Sequence, residues 1–294
     1  MILNSYAKLN LYLEVLNRRK DGYHNIVTLF ERIDLADKIT LTETSDGKIH
    51  LQADSSQIPK DKSNLAWRAA ALLKEEFCPK KGAAIKICKK IPVGSGMGGG
   101  SSNAASVLKG LNKLWKLNLS AAALARLAER IGSDVPFFIY DRPFALGESK
   151  GGKIKIISAL RKARFWHILA VPRINVSTAR VYGKWDEKNV KNNAKGRLTR
   201  PLSNVKILTS ALRKKDLFGV KQNLFNTLEE ITAGVYPEIT AVKEKFRQLG
   251  LRPVLMSGSG PTVFAILSSR KEAVSIYRRL CRYRSWRVFV TRTR

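Results

Sequence analysis

Two stretches of the chain concentrate residue types that do chemistry. In the first, Ile91-Pro92-Val93-Gly94-Ser95-Gly96-Met97-Gly98-Gly99-Gly100-Ser101-Ser102-Asn103-Ala104-Ala105, five glycines fall within seven positions. Ordering so many glycines costs chain entropy. A strand-like segment leads in and a helical pattern leads out. That arrangement aims bare backbone N–H groups and a positive helix end at one spot, the setting in which phosphate binds. Ser101 and Ser102 add hydroxyls able to cap the helix, bond phosphate oxygens or help hold Mg²⁺. The bland alternative is a flexible turn, but turns seldom combine so many glycines with an immediate helix. The second stretch, Gly132-Ser133-Asp134-Val135-Pro136-Phe137-Phe138, sets one acid past a predicted helix end and against an apolar wall. Far upstream, Lys8 sits in a strand-like run among Ala7, Leu9, Leu11 and Leu13. An unpaired ammonium there would be costly, and an ion pair with Asp134 would relieve both groups. Phosphoryl transfer asks for such a set: a positioned nucleophile, an acceptor for its proton, and positive charge on the developing anion. A buried ion pair without chemistry is the alternative.

Other phosphate-binding loops fit less well. No Lys-Ser/Thr follows the last glycine, as a Walker A loop requires. Gly94 to Gly99 matches G-x-G-x-x-G, but a dinucleotide site wants an acid about 20 positions on, and 101–126 holds no Asp or Glu. Neither His-Arg-Asp nor Asp-Phe-Gly, the protein-kinase signatures, is present.

The loop resembles the second motif of the GHMP kinases, the galactose, homoserine, mevalonate and phosphomevalonate kinase family. Three further segments strengthen the resemblance: Ala7-Lys8-Leu9-Asn10-Leu11 with Asp21-Gly22-Tyr23-His24, then the Asp134 segment, then Met256-Ser257-Gly258-Ser259-Gly260-Pro261-Thr262-Val263-Phe264. They run in the family's order over nearly the whole chain. Asp-Gly-Tyr-His narrows the match to the branch that phosphorylates the 2-hydroxyl of a cytidine diphosphate-linked methylerythritol. The resemblance implies ATP and Mg²⁺ as cofactors, with no metal held by the protein alone. It implies Lys8 and Asp134 as the catalytic pair. Pro92, Val93, Gly94, Ser95, Gly96, Met97, Gly98, Gly99, Gly100, Ser101 and Ser102 would form the nucleotide loop. Asn10, Tyr23, His24 and Thr178 would meet the substrate, Tyr23 and His24 at the cytosine. The loop at 257–262 would close over the active site. Met97 stands where the family usually has Leu, a swap that volume tolerates. The implied fold is α+β, the two-domain GHMP kinase fold, with a ribosomal protein S5 domain 2-like N-terminal half, a ferredoxin-like C-terminal half and the site between them. Two rivals stay open: a GHMP kinase for another small alcohol, of homoserine or mevalonate type, and a basic nucleic-acid-binding protein on a kinase-like scaffold.

The elements that must position these residues are read from periodicity. Strands are expected at 2–16, 26–33, 38–42, 83–89, 153–157, 166–171, 253–256, 262–267 and 286–291. Helices are expected at 64–77, capped by Ser63, at 101–115, from Ser120 to Gly132, and at 202–214, 219–232, 238–249 and 271–283. The polar, basic stretch 184–200 reads as a loop. A glycine- and lysine-rich connection at 147–153 suggests a boundary, giving units at 1–150 and 151–294. Asn64 and the backbone near Lys90 are candidate adenine contacts.

Composition limits the alternatives. The chain has 294 residues, 44% of them apolar, and a formal net charge of +31. That apolar share supports a real core and excludes a disordered polycation. No run approaches the ~20 apolar residues needed to span a bilayer. The first residues lack the pattern of a signal peptide, so a cytoplasmic chain is expected, a monomer or homodimer. The charge is uneven: residues 1–147 hold 22 Lys+Arg and 14 Asp+Glu, residues 148–294 hold 32 and 9. Such a surface attracts polyanions, but no nucleic-acid recognition motif accompanies it, and a solvated basic face is the simpler reading. Cys78, Cys88 and Cys281 show no CxxC spacing, which argues against disulfides or structural zinc.

Overall fold

A computed structural model describes residues 1–78, 80–191 and 203–294. The chain opens with two long antiparallel strands, β1 (Ile2–Arg18) and β2 (His24–Thr44), joined by the Asp21-Gly22 turn. The two expected runs at 26–33 and 38–42 are one continuous strand. Asp37 breaks the apolar alternation between them, but its buried carboxylate is fully hydrogen-bonded and the ladder with β1 continues. β3 (Ile49–Ala53), α1 (Leu65–Phe77) and β4 (Gly82–Cys88) follow. Asn64, not Ser63, caps α1: its side-chain oxygen accepts from the Ala66 N–H at 2.9 Å. That duty, and a bond from its amide to the Pro59 carbonyl, occupy the residue considered for adenine.

The glycine loop leads into α2 (Gly99–Leu114), then α3 (Ala121–Ile131), which Ser120 caps as expected. A five-residue helix, α4 (Val135–Ile139), and the hairpin of β5 (Phe144–Glu148) and β6 (Lys153–Ile156) complete the first half. The 147–153 connection is the turn of that hairpin, so a cut at 150 passes between paired strands. The first sheet runs β3-β4-β2-β1, with β5 and β6 continuing from β2. One face is covered by α1 to α4.

The second half comprises β7 (Trp166–Pro172), α5 (Thr178–Lys191), α6 (Ser203–Lys214), α7 (Leu217–Gln222), β8 (Phe225–Asn226), α8 (Glu229–Val235), α9 (Pro237–Gln248), β9 (Leu255–Met256), β10 (Val263–Leu267), α10 (Arg270–Leu280) and β11 (Trp286–Arg292). Its four strands are ordered β11-β7-β10-β9, all antiparallel, which is the ferredoxin-like arrangement. Two expectations change. Residues 184–191 are helical, part of α5, while 192–200 lie outside the described residues, as does the expected start of α6 at 202. The helix expected at 219–232 is two helices separated by β8, because Phe225 and Asn226 pair in parallel with Tyr12 and Leu13 of β1.

β7 is buried on both faces. Leu169 and Val171 pack with Leu9, Leu11, Val27 and Leu29 of the first sheet. Ile168 and Ala170 point the other way, toward Val242 and Phe246 of α9 and Ala273 and Ile276 of α10. Among the described residues no helix is long and apolar enough to cross a membrane.

Candidate active site

The site begins with Lys8, a buried lysine in the middle of β1. Its backbone N–H donates to the Met97 carbonyl at 3.0 Å, tying the strand to the glycine loop. Its Nζ donates to Asn10 Oδ1 at 2.5 Å and lies 3.4 Å from Asp134 Oδ2, with the Phe30 ring below it at 5.3 Å. The ion pair that burial of Lys8 demands is therefore present. Asp134 sits at the N-terminal end of α4 without spending its carboxylate on a cap, and its side chain is 32% exposed, toward the cleft. Asn10 is the support of this pair. Its side-chain oxygen accepts the hydrogen bond from Lys8 Nζ, its amide donates to Thr28 Oγ1 at 2.7 Å, and its backbone N–H donates to Ser257 Oγ at 3.2 Å.

The glycine loop needs its glycines for two separate reasons. Gly94, Gly96 and Gly98 have φ of +66°, +75° and +68°, where side chains strain the backbone. Space is also short. A Cβ at Gly96 would lie 2.4 Å from the Ser257 carbonyl oxygen, and one at Gly98 would lie 3.1 Å from Lys8 Cγ and from Phe138 Cζ. Gly98 offers no side-chain cap to α2, so the first N–H groups of that helix face the cleft unclaimed by a cap. Gly96, Gly98 and Ser101 line the cleft. Pro92, Ser95, Met97 and Ser102 are buried, Ser102 accepting from Ser5 Oγ at 2.8 Å, so their side chains shape the loop from beneath. Val93, Gly94 and Gly100 are exposed, and Gly99 is half-buried.

What clamps this loop is Asp37, which the sequence did not single out. Its buried carboxylate accepts from the N–H groups of Lys90 (2.8 Å) and Ile91 (2.9 Å) and from Asn103 Nδ2 (2.9 Å), and pairs with Lys89. One side chain thus joins the entry to the loop with the helix that leaves it.

The late glycine loop does lie over the site. Thr262 Oγ1 donates to the Ser95 carbonyl at 2.6 Å, and Ser257 Oγ to the Gly96 carbonyl at 3.4 Å. Asn226 holds it from behind, donating to the carbonyls of Met256 (2.7 Å) and Gly258 (2.8 Å).

The substrate-side candidates Asn10, Tyr23, His24 and Thr178 all line a cleft of about 750 Å³ that contains both Lys8 and Asp134. Thr178, first residue of α5, shares a 2.8 Å hydrogen bond with Ser259 Oγ. Tyr23 is 56% exposed on its turn, with Lys150 Nζ over its ring at 4.8 Å. His24 is buried: Nε2 meets Asp186 Oδ1 at 2.8 Å, and its ring packs 4.9 Å from Tyr182 and edge-on, 5.2 Å, to Trp185. Arg18 lies 3.6 Å from the same Asp186 carboxylate. Tyr182, Trp185 and Asp186 share one face of α5 at helical spacing. That signal was present in the sequence, but the loop expected at 184–200 hid it. Burial, aided by the negative charge of Asp134, pushes the Tyr182 phenol well up, so it is a neutral ring at physiological pH.

Comparison with known proteins gives the same outline. The family model for the GHMP kinases N terminal domain matches residues 64–142, and that for the GHMP kinases C terminal domain matches 208–285. The chain is 43% identical over 277 residues to a curated 4-diphosphocytidyl-2-C-methyl-D-erythritol kinase of Bacillus cereus strain B4264, covering 94% of this chain and 91% of the relative. This chain belongs to the GHMP kinase family. A relative of the same name from Bacillus velezensis is 42% identical over 271 residues, covering 92% of this chain and 89% of its own. Among solved structures, a 4-(cytidine 5'-diphospho)-2C-methyl-D-erythritol kinase superposes with a TM-score of 0.81 at 32% identity, all of both chains being covered. An L. major mevalonate kinase gives a TM-score of 0.74 at 18% identity over 100% of this chain and 96% of its own, a likeness of fold.

Proposed function

We propose that this GHMP kinase transfers the γ-phosphoryl group of ATP to the 2-hydroxyl of 4-diphosphocytidyl-2-C-methyl-D-erythritol, a step in non-mevalonate isoprenoid precursor synthesis. The observation that carries the reading is the Lys8–Asp134 contact of 3.4 Å in a cleft shared by the glycine loop and the Tyr23-His24 end. The relatives that match over nine-tenths of the chain bear that enzyme's name.

The chemistry follows from the geometry. The acceptor hydroxyl lies against Asp134, and the neighbouring Lys8 ammonium stabilises the alkoxide character that develops on it. Its oxygen forms the new bond to the γ-phosphorus as the bond to the β–γ bridging oxygen breaks, ADP leaves, and the hydroxyl proton passes to Asp134. The N–H groups at the start of α2 and around Gly96 and Gly98 receive the phosphates. Among the described residues no group of three His, Cys, Asp or Glu is placed to hold a metal. Mg²⁺ binds through substrate phosphates with one or two protein oxygens and retains waters. Ser101, open to the cleft, and Asp134 are the oxygens that fit. When bound, Mg²⁺ neutralises charge on the phosphates. Ser102, bonded to Ser5, does not fit that role.

Tyr23 and the α5 face hold the cytosine end, and Thr178 and Asn10 border the sugar alcohol. A cytoplasmic location goes with this reading. The division at 1–150 and 151–294 goes with it too, the β5–β6 hairpin bridging the cut. The test is a coupled assay of ADP release with the cytidylyl substrate beside mevalonate and homoserine. Turnover with the first alone is expected, and equal silence on all three would remove the reading.

A further inference from the structure

A second cavity, of about 1000 Å³ and open to solvent on one side, lies within the C-terminal half, bordered by α5, α7, β8, α8, α9 and residues 252–255. Its wall is of two kinds. Phe225, Ile231 and Leu255 supply apolar surface, while Lys188, Lys221 and Arg252 bring cations. The acids nearby are engaged. Glu230 lies 3.5 Å from Lys188, and Glu229 pairs with Lys243 and accepts the Met256 N–H at 2.6 Å. Lys221 and Arg252 make no ion pair among the described residues, and Arg252 is exposed. The cavity therefore carries uncompensated positive charge beside an apolar floor.

Two residues of this wall also contact residues that line the catalytic cleft, His24 and Gly258. Trp185 is 4% exposed, and its ring meets His24 edge-on at 5.2 Å. Asn226 donates to the carbonyls of Met256 and Gly258, fixing the loop in which a Cβ at Gly258 would stand 3.6 Å from Lys8 Nζ. A ligand in the second cavity would lie against both supports.

We propose that this cavity is an effector site for a small amphiphilic organic anion, with a phosphate-like head at Lys221 and Arg252 and an apolar body against Phe225 and Leu255. Its occupancy alters substrate affinity in the cleft through Trp185 and Asn226. Charge selects the head, because an exposed cation pair attracts anions without demanding burial of either. The floor selects the body, at roughly 25 cal/mol per Å² of apolar area removed from water. Coupling between two sites of this kind is commonly about 5-fold to 150-fold in affinity.

The effect on turnover rests on the kinase reading, but binding does not, so the two fail separately. The full-length chain is titrated calorimetrically with n-hexyl phosphate, inorganic phosphate and n-hexanol. A non-hydrolysable ATP analogue saturates the catalytic cleft throughout. Hexyl phosphate is expected to bind at one site, tighter than either fragment probe. The double variant Lys221→Ala/Arg252→Ala should weaken it about tenfold, the loss of two exposed charge contacts, and leave turnover without the probe unchanged. In the assay, hexyl phosphate is expected to shift KM for the phosphoryl acceptor about 3-fold or more at near-constant kcat. Absence of binding in the presence of the ATP analogue, or equal binding to the double variant, would overturn the site. Binding with an unmoved KM would overturn the coupling. A chain silent toward the cytidylyl substrate, with hexyl phosphate still bound through Lys221 and Arg252, would overturn the kinase reading and uphold the site.

Discussion

Asp134 and Lys8 show how little the chemistry asks of single side chains and how much it asks of their placement. Asp134 spends no hydrogen bond on capping α4, so its carboxylate remains available to a hydroxyl. Asp134→Asn keeps the shape and removes the proton acceptor. Turnover should fall about 10²- to 10⁴-fold, while thermal denaturation shows the fold retained. A drop below tenfold would take the role of base away from it. Gly96 is constrained differently. Gly96→Ala places a methyl against the Ser257 carbonyl at a backbone angle that side chains avoid. A loss of about 2 kcal/mol or more is expected in denaturant unfolding, with weakened ATP binding. Met97, by contrast, is fully buried in the shared core, and Met97→Leu should cost under about 1.5 kcal/mol with activity kept. These positions were legible in the sequence because each announces itself locally, by glycine spacing or by a charge in an apolar run.

Elements are where legibility thinned. Strands and helices with regular apolar periods were found almost to the residue, as with α3 between Ser120 and Gly132. The partners that lock them were not. Asp37 acts on groups 52 to 66 positions away, and no local pattern marks it. Asp37→Ala strands the Lys89 ammonium and leaves the buried Ile91 N–H and the part-buried Lys90 N–H without their acceptor, so a loss of about 3–5 kcal/mol is expected as a lower denaturation midpoint. β8 escaped for a similar reason: two residues become a strand only because β1 offers them an edge. The α5 face reads as polar and basic, yet it clamps His24 through Tyr182, Trp185 and Asp186. Asp186→Ala frees the imidazole and loosens the turn carrying Tyr23. KM for the cytidylyl substrate should rise several-fold, with kcat changed less. An equal fall in kcat and kcat/KM would mean that the clamp serves the transition state instead.

For the molecule as a whole, net charge was the loudest property and the least informative. Of +31, phosphoryl transfer uses one lysine, Lys8. Besides Lys8, Arg18 and Lys150 line the cleft, whose two ligands, ATP and a cytidine diphosphate ester, are anionic. Raising ionic strength should therefore raise KM for both more than it lowers kcat, and a KM flat with salt would detach the charge from catalysis.

The two-faced strand β7 has a consequence for how the protein melts. Its odd-numbered side chains belong to one core and its even-numbered ones to another, so neither half can lose its packing without opening the other. The chain should behave thermodynamically as one cooperative unit despite matching two family models. A single calorimetric transition is expected, with equal calorimetric and van't Hoff enthalpies. Separately expressed halves should be insoluble, each exposing a sheet face that evolved to be covered by the other.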